Sequence, residues 1–531
     1  MSEAETPPTA LLQPLKVAIR VDASRVIGAG HVMRCLTLAR ALRHDGHDVV
    51  FVSRPAPGDL HTFLEDEHGF RVKKLPPSEN DGSIGAFERS DARATINALA
   101  GHSVDWIAVD HYRLGSTWEM NVRTADRRVV AIDDFASRTH ACDLIIDHNL
   151  VPADIYNDAV AHDVGLLLGP SYALVRPEFV SLSEHAGVGA RPETVVVSFG
   201  SADAGGQTLR VLEALREVQP TPRKVIVLAG PENPDVAAIE EMAEEWSALE
   251  IHEFVPMPEA FLGSADLAIG AGGVSALERA AIGVPSIVMA TAGNQVAPSK
   301  ALANAGALLY LGEASDVDDA MLAAAIQTMH NPNLRASMRT RGRALVDGRG
   351  PQRIVRAMHK CAPVQVRRAL PVDRDRILAW RNHGAVRHTA FDPSEISSSA
   401  HARWFEGVLT DPDRHLLVAE LGGTAFGVVR YDVDRMDRSA EISIFLAPEV
   451  HGLGLGEAVL RATDAWLADH DPSIVRVDAK MLGSNERSHR VFASSGFQIR
   501  QTWFEFRRED YGSDDSERME AMEVPREDDR D

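Results

Sequence analysis

The sequence predicts an α/β chain in three parts: two parallel-sheet α/β domains in tandem, then a smaller α+β domain. Three observations carry this. Short apolar runs alternate with amphipathic stretches from residue 16 to about 350, the pattern of strands joined by crossover helices. The alternation breaks once, between Arg176-Pro177 and Arg191-Pro192, and restarts on a new strand and glycine turn. Beyond Val366, strands are joined by a hairpin-type turn, Leu421-Gly422-Gly423-Thr424, instead of by helices.

At 531 residues the chain exceeds one hydrophobic core. Apolar residues make up 45% and charged residues 25%, the balance of an ordinary globular protein. The net charge of −22 argues against nucleic acid and against an anionic membrane surface as partners. Part of it is local: residues 509–531 carry 11 acidic and 3 basic groups, which predicts a solvated, disordered acidic tail. Residues 1–15, with Pro7, Pro8 and Pro14, read as a flexible leader. Cys35, Cys142 and Cys361 are too few and too far apart for a disulfide framework or a metal-ligand cluster, so a cytoplasmic protein without a metal is expected. No run of 18 apolar residues and no basic n-region occurs, so neither a membrane span nor a signal peptide is expected.

The first domain, residues 16–185, reads as strand 17–21, glycine turn, helix 32–42 and strand 48–53. Gly28 and Gly30 let the backbone turn sharply, and His31 falls at or just before the helix start. Free backbone N–H groups and a positive dipole end thus lie beside a titratable imidazole. The dipole disfavours a second positive charge, and neutral imidazole is what a general base must be. The alternative is a dinucleotide-style turn in which His31 caps or packs. Three later strands end in polar groups: Asp110-His111-Tyr112, Asp133-Asp134 and Asp147-His148-Asn149. Open α/β sheets bind ligands at such C-terminal edges, so the set points to one polar crevice. Singly, each is also what helix caps and turns favour.

The second domain, residues 186–350, restarts with strand 194–199, a glycine-rich turn and helix 208–218. Its sharpest feature is Gly270-Ala271-Gly272-Gly273-Val274-Ser275-Ala276-Leu277-Glu278, which follows an apolar strand and opens a helix. Gly272 and Gly273 let a phosphate approach the helix N-terminus, Ser275 supplies a hydroxyl, and Glu278 can accept both hydroxyls of a ribose. Asn294 and Gln295 follow the next strand; taken alone, Asn294 is equally a loop residue satisfying nearby backbone. Two such domains in tandem suggest a cleft between them.

Together, Gly-Ala-Gly-His-Val-Met-Arg (28–34), Val-Asp-His-Tyr (109–112), Ile-Asp-Asp (132–134), the glycine turn with Glu278, and Asn294-Gln295 carry a resemblance. Over residues 16–350 they resemble the UDP-2,4-diacetamido-2,4,6-trideoxy-β-L-altropyranose hydrolases of pseudaminic acid biosynthesis, which are built like the GT-B glycosyltransferases. The resemblance implies two Rossmann-like domains in GT-B arrangement, with UDP against the second. It implies Glu278 on the ribose, Gly272, Gly273 and Ser275 near the diphosphate, and His31 handling the attacking water. Tyr112 and Asn294 would line the sugar and share in catalysis. Gly30, Arg34, Asp110 and Gln295 would bind substrate. The implied reaction breaks the sugar carbon–oxygen bond with inversion and needs no metal.

A linker over 351–363 leads to the third domain, 364–508. Its strands precede His451-Gly452-Leu453-Gly454-Leu455-Gly456 and a helix, an anion cradle; antiparallel strands before it weaken a dinucleotide-fold reading. With Ser484-Asn485-Glu486-Arg487-Ser488 and Ser495-Gly496-Phe497, this region resembles the GNAT acetyltransferases. That implies acetyl-CoA as co-substrate, held by Leu446, His451, Gly452, Leu453, Gly454, Leu455, Gly456 and Asn485. Trp380 and Arg381, in a cluster also found in sugar-modifying relatives, would face the acceptor's nucleotide. Two departures stand out. His451 replaces the usual Gln or Arg, and Phe492 replaces a tyrosine that protonates the leaving thiolate, which phenylalanine cannot do. Either the thiolate leaves unassisted or another residue supplies the proton. Glu441 is a candidate base acting through water, or simply an exposed strand-end acid.

The two resemblances combine into an expectation of consecutive steps on one chain: N-acetylation of a UDP-4-amino-4,6-dideoxy-2-acetamido sugar, then hydrolytic release of UDP from the diacetamido product. The alternative is a GT-B glycosyltransferase fused to a CoA-binding regulatory module. UDP-sugars and acetyl-CoA are the expected partners.

Overall fold

A computed structural model describes residues 14–500, apart from 78–82, 161–163, 183–188, 201–202, 204, 231–232, 254, 256–257, 362–363 and 422. The acidic tail and most of the expected leader lie outside the described residues, as does the end of the third domain beyond residue 500.

The first sheet holds β1 (Lys16–Val21), β2 (Asp48–Ser53), β3 (Arg71–Lys74), β4 (Trp106–Asp110), β5 (Arg128–Ile132), β6 (Leu144–Asp147) and β7 (Gly165–Leu168). They are all parallel, in the order β3-β2-β1-β4-β5-β6-β7. A strand buried on both faces carries apolar side chains or paired charges on both, and in β1 the one buried charge, Arg20, is held by Asp22 and Asp91. Val17, Ile19 and Val21 point to one layer, with Leu36, Phe51 and Ile146. Ala18 points to the other, with Trp118 and Phe87. The order reverses between β1 and β4, where Val21 lies opposite Asp110. Neighbouring connections leave the sheet in opposite directions there, and the crevice beyond the strand ends is a natural ligand site.

The second sheet repeats the plan with β8 (Thr194–Ser198), β9 (Lys224–Ala229), β10 (Leu249–Glu253), β11 (Leu267–Ala271), β12 (Ser286–Ala290) and β13 (Leu309–Glu313), in the order β10-β9-β8-β11-β12-β13. The switch falls between β8 and β11, so the Gly272-Gly273 turn leaves from it. Two segments tie these domains together. Ala173, Val175 and Phe179 join the second domain's core with Val196 and Leu277. The helix Gly350–Lys360 returns the other way, burying Ile354, Val355 and Met358 against Val17 and Leu36 of the first.

The third sheet is mixed: β14 (Gln365–Arg368), β15 (Arg414–Leu421), β16 (Thr424–Asp434) and β17 (Ser439–Leu446) are antiparallel neighbours. β18 (Arg476–Ala479) pairs with β17 in parallel, and only from Ser439 to Ile442. Ser443–Leu446 therefore run on without a partner on that side among the described residues, opening the sheet beside the glycine turn. The α/β class, with two Rossmann-like sheets and a final α+β unit, is the one the sequence predicts.

Candidate functional site

The first cluster grows from the β1–β4 switch. The helix after β1 spans Gly30–His44, so His31 sits inside its first turn and not ahead of it. Its Nδ1 lies 2.6 Å from Oδ1 of Asp110, the last residue of β4. Arg34 Nη2 is 3.1 Å from the same nitrogen, but two N–H groups do not bond each other, so the carboxylate is the partner and Nδ1 carries the proton. Nε2 is then the acceptor, in a side chain 11% exposed. Arg34 clamps Asp110 through Nε and Nη2 at 2.5 and 2.6 Å, and reaches both oxygens of Asp134 through Nη1 at 2.9 and 3.0 Å. Burial opposes charge on Asp110, but the Arg34 guanidinium and the His31 imidazole outweigh it and hold the carboxyl well below the usual carboxylate range. Tyr112 donates its hydroxyl to Asp134 at 2.9 Å and sets its ring edge-on to His31, centroids 4.6 Å apart. Burial and the Asp134 carboxylate push that phenol up. His148, buried and 3.6 Å from Asp134, is pushed down to about 4 by burial.

Arg34 and Asp110, expected from the sequence to bind substrate, lie beneath His31. Both are buried and bonded to each other, with Arg34 nitrogens engaged by two carboxylates. They hold the site together from behind. Asp134 and His148 join them, and the Asp at each strand end was the legible sign.

In the second domain, Gly273 adopts φ +80° with open space where a Cβ would stand, and caps the helix Val274–Ile282. Gln295 accepts the backbone N–H of Gly272 at 3.2 Å and of Thr291 at 3.0 Å, so it shapes the turn and its carbonyl oxygen is already used. Ser275 and Asn294 are exposed at the helix start and on the turn Gly293–Gln295. Glu278 is half-buried, 3.9 Å from Arg176, which also pairs with Glu259 at 3.2 Å. Burial pushes the Glu278 carboxyl up to about 7, against the pull of Arg176 and Arg279. Arg176 and Arg279 were not foreseen. Arg279 is buried and donates to the Ala271 carbonyl at 2.6 Å, bracing the turn from beneath.

In the third domain, Gly452 takes φ +84° with nothing within 4 Å of an added Cβ, just before the helix Gly456–His470. His451 Nε2 lies 3.1 Å from the Leu446 carbonyl, closing the turn onto the end of β17. Leu453 and Leu455 bury their side chains in the core, so only their backbone can face a ligand; Gly454 has φ +75°. Asn485 caps the helix Glu486–Ser494 by accepting from Ser488 N. Phe492 is buried against Phe497. Glu441 is ion-paired with Lys480 at 2.6 Å, so one of its oxygens is occupied. Trp380, expected to face the acceptor's nucleotide, lies in the core with Ile377 and Phe405. Arg381 donates to the Asp392 carbonyl at 2.8 Å.

The fold also gathers Glu119, His140 and Cys142, whose ligand-type atoms lie within 4.8 Å of one another, a grouping that sequence spacing does not reveal. His140 Nδ1 already bonds Glu119 at 2.7 Å, and Ala141 N takes the other carboxylate oxygen. Burial pushes the Cys142 thiol up. His140 Nε2 is buried without a hydrogen-bond partner, 3.7 Å from Asp133.

Residues 364–498 match the family model described as an acetyltransferase (GNAT) domain. An uncharacterised N-acetyltransferase of Mycobacterium bovis is 33% identical over 123 residues, 22% of this chain and 72% of that protein. The spore coat polysaccharide biosynthesis protein SpsG of Bacillus subtilis is 26% identical over 347 residues, 64% of this chain and 96% of that protein. The UDP-2,4-diacetamido-2,4,6-trideoxy-β-L-altropyranose hydrolase of Campylobacter jejuni is 24% identical over 232 residues, 43% of this chain and 75% of that protein. Over residues 364–498 the chain belongs to the GNAT acetyltransferases, and that domain is fused behind a two-domain region resembling SpsG and the UDP-diacetamido-trideoxy-altropyranose hydrolase.

Proposed function

We propose that the chain carries out two consecutive steps on a nucleotide sugar: acetyl-CoA-dependent N-acetylation of a UDP-4-amino-4,6-dideoxy-2-acetamido sugar, then hydrolysis of the UDP-diacetamido product. The observation that carries the hydrolytic step is the His31–Asp110 pair, which commits Nδ1 as a donor and leaves Nε2 as an acceptor beside Tyr112. In that step Nε2 takes a proton from water as its oxygen bonds the anomeric carbon. The bond from that carbon to the diphosphate oxygen breaks, inverting the centre. UDP leaves with the bonding pair, stabilised by the N–H groups that open the helix Val274–Ile282 after Gly273 and by the helix dipole. Asn294 and the Tyr112 ring line the sugar, and Glu278 accepts from the ribose.

In the acetyltransferase domain the substrate amine attacks the thioester carbonyl and CoA leaves as thiolate. The turn 451–456 holds the pyrophosphate of acetyl-CoA. The open edge of β17 at Ser443–Leu446 offers backbone groups to its pantetheine arm. Glu441 takes the amine proton through water once Lys480 gives way. Phe492 cannot serve as acid, so the thiolate is protonated from solvent.

The test is incubation of the whole protein with the UDP-amino sugar and acetyl-CoA, followed by mass spectrometry. The expected products are CoA, UDP and a free diacetamido sugar without any added acceptor. A product that appears only with an acceptor makes the N-terminal region a glycosyltransferase instead. His31→Ala should retain UDP and lower UDP release by roughly 10²- to 10⁴-fold.

A further inference from the structure

We infer that Arg34 and Asp134 are positioning residues that orient the His31 imidazole and the Tyr112 ring together; this rests on the hydrolytic reading above. The five side chains come from separate parts of the chain: His31 and Arg34 from the helix Gly30–His44, Asp110 from the end of β4, Tyr112 two residues later, and Asp134 beyond β5. One guanidinium joins them. Its Nε and Nη2 fix both oxygens of Asp110, which in turn fixes His31 Nδ1. Its Nη1 fixes Asp134, which takes the Tyr112 hydroxyl. His31 has rotational freedom about two bonds, and so does Tyr112. The carboxylates remove it at both, and only a planar fork with this many donors can serve two carboxylates at once. The arrangement also settles how Tyr112 works. Its hydroxyl is spent on Asp134, so the sugar meets the ring, which makes edge contacts with His31 at 4.6 Å and Phe135 at 5.0 Å between centroids.

The consequence is coupling. Losing the Asp134 carboxylate releases the Tyr112 hydroxyl and half of Arg34's anchorage, so Tyr112→Phe has nothing further to remove. Steady-state UDP release is measured for wild type, Asp134→Asn, Tyr112→Phe and the double variant. The expected result is a kcat lower by about tenfold in Asp134→Asn with KM little changed, and a double variant no worse than Asp134→Asn alone. Multiplying effects would show that the hydroxyl touches substrate directly and overturn the inference, as would an unchanged kcat in Asp134→Asn. Arg34→Lys serves if Asp134→Asn does not fold: it keeps the charge but loses the fork, and should lower kcat with UDP affinity retained. A wild type that releases no UDP refutes the hydrolytic reading instead. The positioning is then read from histidine-selective ¹⁵N spectra, with the His31 signal assigned by its loss in His31→Ala. The Nδ1-protonated tautomer should dominate in wild type and give way to mixed tautomers in Arg34→Lys; identical spectra would overturn it.

Discussion

Glu278 and His140 show how surroundings set what a titratable side chain does. Glu278 titrates near 7, so in the proposed role its ability to accept two ribose hydroxyls is lost as pH falls through that value. Uridine, which lacks a titrating phosphate, should bind more weakly at pH 6 than at pH 8 by calorimetry. Glu278→Gln should bind it roughly tenfold more weakly at pH 8 and without the pH dependence. His140 is the opposite case. Burial lowers its pKa, but the nearby Asp133 carboxylate and the hydrogen bond to Glu119 more than compensate and raise it to about 9 from the ordinary 6.5. The folded pKa exceeds the unfolded one, so the stabilisation is complete below 6.5 and is lost as pH rises through 9. The stability gap between wild type and His140→Asn should shrink between pH 6 and pH 10, by a few kcal/mol as an order of magnitude. Denaturant midpoints with a constant gap would refute it. His31 was singled out by the glycine turn before it, and chiefly by the resemblance. For Arg34 the sequence shows the charge but not the two carboxylates, 76 and 100 residues away, that it bonds.

At the scale of elements, the central strands were readable and the edges were not. β4, β5 and β8 are apolar on both faces, which favours runs of Val, Ile and Ala. β3 reads Arg-Val-Lys-Lys, and β18 reads Arg-Val-Asp-Ala; both are sheet edges, so no apolar run marks them. β7 reads Gly-Leu-Leu-Leu, an apolar run too short to tell a strand from a buried helix segment. The glycine turns are legible because their backbone demands the residue. Gly452→Ala meets no clash, since nothing lies within 4 Å, but pays about 1–2 kcal/mol for φ +84°. Acetyl-CoA should therefore show a several-fold higher KM in that variant with melting temperature little changed; an unaltered KM would remove this turn from the co-substrate site.

The whole molecule is held together by a return path that the sequence disguises as a linker. The helix Gly350–Lys360 leads from the second domain towards the third, yet docks on the first through Ile354, Val355 and Met358. At its end His359 Nε2 meets His47 Nε2 at 3.1 Å, both buried. His47 Nδ1 accepts from Leu15 N, so His47 donates through Nε2 and His359 keeps an unpartnered Nδ1 proton. Burial pushes His359 down to about 4, and Asp45 only partly opposes it. Both imidazoles are neutral when folded, so the unfolded chain binds more protons and stability falls as pH drops from 7 towards 5. His359→Phe should flatten that slope of melting temperature against pH; an unchanged slope would place the acid sensitivity elsewhere.

By itself, the sequence determined what local chemistry dictates: two parallel α/β units, a mixed final domain, the glycine turns, and the positions of His31 and Glu278 just after two of those turns. Those follow from periodicity, backbone demands and nearest neighbours, all written within a few residues. Only the tertiary structure decided which side chains meet. Arg34, Asp110 and Trp380 each meet their partners only after chain segments far apart in sequence are packed side by side. The glycine turn before His31 thus keeps its importance, but its meaning comes from the buried carboxylate at the end of the neighbouring strand.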